Sequence, residues 1–70
     1  MHHTILSATN PADPAFRASL EAVGNRFHAV LYSTLMHHTV SRLPFETYEQ
    51  AERIFRHLCH LHGLTDVVEV

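Results

Sequence analysis

The residues with metal-ligand chemistry gather in one stretch, His57-Leu58-Cys59-His60-Leu61-His62. On a helix His57 and His60 stand one turn apart, so two imidazoles can reach one zinc or nickel ion. His62, Cys59 or a member of the His37-His38 pair would supply further ligands. His57, His60 and His62 are therefore the candidate metal residues, with zinc as the candidate cofactor. The stretch lacks the C-x2-C or H-E-x-x-H arrangement that would make it diagnostic. Histidines near a helix C-terminus also complement the helix dipole with no ligand present, and on that explanation the chain carries no cofactor.

Nucleophilic chemistry finds less support. Cys59 would need a lowered pKa, and a helix C-terminus disfavours the thiolate; four residues after Phe55, it reads as part of the core edge. Ser33 and Ser41 have histidines nearby, but no nucleophile elbow, Gly-rich loop or carboxylate pair accompanies them. The only two glycines, Gly24 and Gly63, are both read as helix ends, which leaves no phosphate cradle. The expectation is a protein that is not an enzyme.

Tyr32, Met36, His37, His38 and Arg42 are residues of the kinds enriched at protein interfaces, and they are the candidate partner-binding set. The competing explanation is that they finish the core or a sheet face.

These side chains must be positioned by a chain of 70 residues, enough for one domain spanning 1–70 and no second core. A domain of that size buries only about 60% of its unfolded surface. Hydrophobic residues make up 46% and charged ones 17%, which excludes disorder. Five arginines, no lysine and seven acids give a net charge of −2. No clustered positive charge is visible in the sequence, so nucleic acid is not an expected partner. No run approaches the roughly 20 apolar residues needed to span a bilayer, and Met1 to Leu6 has neither the basic nor the apolar region of a signal peptide. One cysteine cannot form an internal disulfide, which fits a reducing, cytoplasmic setting. Eight histidines would reverse the net charge as pH falls below about 6.5.

Along the chain, residues 3–8 read as a strand and 9–14 as a loop punctuated by Pro11 and Pro14. Asp13 before Pro14 is a helix start, Phe16, Leu20 and Val23 form an apolar stripe, and Gly24-Asn25 is a helix stop, predicting a helix over 14–24. Residues 26–45 admit two readings. Phe27–Leu35 and Thr39–Leu43 are rich in strand formers and suit a hairpin, although its turn near Met36-His37-His38 lacks the usual turn residues. Alternatively the first helix continues through Gly24, because Phe27, Val30 and Thr34 extend the helical spacing. Thr47 with Gln50 resembles a capping box for a further helix carrying Ala51, Ile54, Phe55, Leu58 and Leu61 inward and ending at Gly63. Thr65–Val70 closes the chain as a strand. The first reading gives an α+β fold, a minimal β-α-β-β-α-β ferredoxin-like sandwich; the second gives a long-helix α-hairpin with short terminal strands.

A domain this small with no catalytic set acts most directly by presenting a surface. The expected function is a protein-binding inhibitor or regulator that masks a functional surface of another protein. Small phage-borne inhibitors, anti-CRISPR proteins among them, are similar in size and in their lack of enzymatic motifs. Thin stability and unpaired terminal strands make a homodimer the expected state. The alternative function is a metal or small-ligand binder built on the C-terminal histidines.

Overall fold

Strands β1 (His2–Thr9), β2 (Phe16–Val23), β3 (Arg26–Ser33) and β4 (His38–Phe45) form an antiparallel meander. Helix α1 (Tyr48–His62) then crosses one face of the sheet and delivers β5 (Asp66–Glu69) to the opposite edge, antiparallel to β1. The resulting order is β4-β3-β2-β1-β5 in this computed structural model, which describes residues 2–70.

This architecture replaces both expectations. There is no first helix: residues 16–23 are a strand paired on both sides, so neither the two-helix ferredoxin-like layout nor the long α-hairpin forms. The physical reason is a second periodicity. Phe16, Ala18, Leu20 and Ala22 alternate with Arg17, Ser19, Glu21 and Val23, and period-two burial between β1 and β3 prevails over the four-three spacing of Phe16, Leu20 and Val23. Asp13 does not cap a helix; its Oδ1 accepts from Ala15 N–H in a local turn, as Asn10 Oδ1 does from Ala12 N–H. Gly24-Asn25 is the two-residue loop of the β2–β3 hairpin, with positive φ at Gly24 alone, as glycine-first hairpin turns require.

The hairpin over residues 26–45 does form. Its turn is made by His37, which takes φ 55°, a conformation uncommon outside glycine.

The second expected helix is present with both ends as read. Thr47 accepts from Gln50 N–H through its side chain, Gly63 adopts φ 64°, and Leu64 N–H reaches back to Cys59 O at 2.8 Å. Ala51, Phe55 and Cys59 lie four apart and are buried against Leu6, Ala8, Ala18, Leu20 and Ala29. Four alanines in this set let the helix backbone approach the sheet closely. The expected inward Leu61 is instead 61% exposed, because it stands well round the helix from Phe55. Phe27 meets Tyr48 edge-on at one end of the helix, and Phe16 packs against His62 with the rings tilted at the other.

Candidate functional site

With the helix on one face, the register places Arg17, Ser19 and Glu21 of β2, Arg26, His28, Val30 and Tyr32 of β3 and Arg42 of β4 together on the other. Among the described residues no element covers that face. Glu21 sits at its centre, its side chain only 10% exposed. Its Oε1 accepts from Arg42 Nη1 at 2.9 Å and meets His2 Nε2 at 2.5 Å, while Oε2 accepts from Ser19 Oγ at 2.8 Å. Arg42 Nη1 also lies 3.1 Å from His28 Nδ1; because a guanidinium only donates, the ring nitrogen is the acceptor in this contact.

Burial pushes the Glu21 carboxyl up, but the bonds from Ser19, Arg42 and His2 outweigh it and hold the group below its usual range. One carboxylate thus ties β1, β2 and β4 together. Along the same face the Arg17 guanidinium lies 4.9 Å from the centre of the Tyr32 ring. Val30, buried on this side, pairs with Ser19 and Arg42.

The candidate partner-binding residues fall in one region, the β3–β4 hairpin. Tyr32 and Arg42 are on the open face, Met36 and His37 form the turn, and His38 begins β4 opposite Ser33. The turn is fastened at its base: Ser33 Oγ accepts from Met36 N–H at 3.1 Å, Thr34 N–H donates to Ala15 O at 3.0 Å, and the Thr34 hydroxyl donates to Pro14 O. It lifts Leu35 and Met36 into solvent at 76% and 70% exposure.

The candidate metal residues are separated. At about 100° per residue His57 and His60 point outward, whereas His62, two turns after Phe55, lies on the inward side with its ring tilted against Phe16, centroids 4.7 Å apart. Among the described residues no group of three His, Cys, Asp or Glu is placed to hold a metal ion. Cys59 faces the core, and burial pushes its thiol up, the direction opposite to activation. No pocket opens among the described residues, and no helix there is long and apolar enough to cross a membrane.

Sequence reasoning missed Arg17, Glu21, His28 and His2 as neighbours because a helix over 14–24 makes Arg17 and Glu21 a local i,i+4 pair and sets neither beside His2 or His28. The alternation Arg17-Ala18-Ser19-Leu20-Glu21-Ala22, followed by Gly24-Asn25, was the signal that could have found them. Compared with known proteins, the chain matches no protein-family model, no curated protein and no solved structure.

Proposed function

We propose that this chain is a non-enzymatic protein-binding module of the cytoplasm that inhibits or regulates a partner by covering the partner's functional surface with its β3–β4 hairpin. The observation that carries this reading is the exposure of Leu35 and Met36 at a fastened turn. The braced turn has already ordered the backbone that carries these two large apolar side chains, so binding costs little further loop ordering. Tyr32 and Arg42, of types that dominate interface energetics, stand behind them on the same hairpin. The free thiol of Cys59 suits a reducing compartment.

The test is capture from a lysate of the source cell by the immobilised chain and by the double variant Leu35→Ser/Met36→Ser. A partner retained by the parent chain and lost by roughly tenfold or more in the variant, with the thermal melt unchanged, is the expected result. Equal retention by both chains would remove the hairpin tip as the contact.

A further inference from the structure

Resting on that reading, we propose that the open face of the sheet receives an acidic surface of the partner protein, with Arg17, Arg26 and Tyr32 as its principal contacts. The charges of the chain are segregated by face. Three of the five arginines, Arg17, Arg26 and Arg42, lie on the open side; of the seven acids only Glu21 and Asp66 do, and Glu21 is buried and paired with Arg42. Glu46, Glu49, Glu52 and Glu69 lie on or beside the helix layer, and Asp13 is in the β1–β2 loop, outside the sheet. Arg17 and Arg26 have no carboxylate within ion-pair distance among the described residues, so both stand free for a carboxylate from outside. Arg17 is stacked on Tyr32, which holds its planar fork over the face.

The occupant follows from what the face cannot accept. A second copy related by a two-fold axis would present the same patch twice, and each copy brings Asp66 as its one carboxylate outside the Glu21 cluster against two unpaired arginines, Arg17 and Arg26. Pairing at the sheet edges is also opposed. β4 carries an irregularity opposite Leu31 and Tyr32 and a proline, Pro44, and β5 joined antiparallel to its own copy would place Asp66 against Glu69. A nucleic-acid strand needs a longer run of cations and several stacking rings, where this face offers two unpaired arginines and one tyrosine. A carboxylate-bearing protein surface matches the planar, widely spaced guanidinium groups and the adjoining ring.

The experiment is a titration of the isotope-labelled chain, followed by amide NMR shifts, with a Glu- and Tyr-rich peptide. The same peptide with Gln for Glu and a single-stranded oligonucleotide serve as comparisons. The expected result is shifts centred on Arg17, Arg26 and Tyr32, with affinity roughly tenfold above that of the Gln peptide and weakening as salt rises. Arg17→Glu/Arg26→Glu, at exposed positions, should lower that affinity by roughly tenfold with the melt preserved. Arg17→Lys separates charge from the stacked fork and should retain part of the binding. Equal binding of the Gln peptide, shifts confined to the helix, no binding, or tighter oligonucleotide binding at matched salt would each overturn the proposal. If partner capture depends on Leu35 and Met36 but is unchanged by Arg17→Glu/Arg26→Glu, the acidic-surface proposal fails while the hairpin reading stands.

Discussion

Glu21→Gln tests the centre of the open face most directly. The substitution keeps the side-chain shape and removes the charge that Arg42 and His2 share at Oε1. Hydrogen bonds to a charged group contribute about 1.5–3 kcal/mol each, but the partners are partly solvated and the carboxylate itself pays for burial. We therefore expect a net loss of about 1–2 kcal/mol at neutral pH. Against a total of roughly 4–10 kcal/mol for a domain this size, that is a large fraction. A loss of 1 kcal/mol moves the melting temperature of such a domain by about 4–8 °C.

The pH dependence fixes the cause. The folded-state pKa of Glu21 is lowered, so its contribution is fully present above the unfolded carboxyl value and disappears as pH falls through the lower folded value. Thermal melts followed by circular dichroism from neutral pH into the acid range should show the two chains converging below the ordinary glutamate value of 4.5. Contributions from groups away from the cluster are common to both chains and cancel in the difference. A gap in melting temperature that persists unchanged into acid would refute the carboxylate as its origin, and no gap at neutral pH would refute the cluster as a stabilising element.

Three further outcomes follow from the packing. Phe55, 0% exposed, is the main side chain joining helix to sheet, and Phe55→Ala should cost about 3–5 kcal/mol, readable as loss of the cooperative urea transition or a large fall in its midpoint. His37→Gly should raise stability by about 0.5–1 kcal/mol by relieving φ 55°, measured by the same transition; a lower midpoint would mean the His37 side chain contributes to the turn. Zinc at hundreds of micromolar, roughly, should leave the melting temperature unchanged because His62 faces the core while His57 and His60 face out; a saturable rise would show that these histidines regroup around the ion.

How far the fold was legible depended on whether each signal was local. The helix over 48–62 was readable from its ends because Thr47 and Gly63 act within one turn, and the structure shows both acting there. The 16–23 segment was not readable in the same way. Its apolar residues satisfy helical and strand periods at once, and alanine at 18 and 22 fits either. What decides between them is the flanking strands, which pair with the segment on both sides, and helix α1, which buries one alternating set, a non-local effect that spacing within the segment cannot contain. Gly24-Asn25 carried the missing vote, since a helix stop and a hairpin turn both use a glycine at positive φ, and only the strands on either side distinguish them.

The site inherits that ambiguity. Tyr32, Met36, His37, His38 and Arg42 could be grouped from sequence because one hairpin holds them, and hairpin neighbours are close in the chain. Arg17, 15 residues from Tyr32 in sequence, and Glu21, bonded to Arg42 at |i−j| = 21, join the group only once β2 is a strand. In a helix over 14–24 they would stand one turn apart on the same face and read as an ordinary solvated i,i+4 pair, away from Tyr32 and Arg42. In the sheet Glu21 is consumed by Arg42 and His2, and this pairing leaves Arg17 as an unopposed cation beside Tyr32. The charge character of the open face therefore comes from which carboxylate is already spent, and neither net charge nor residue spacing contains that information.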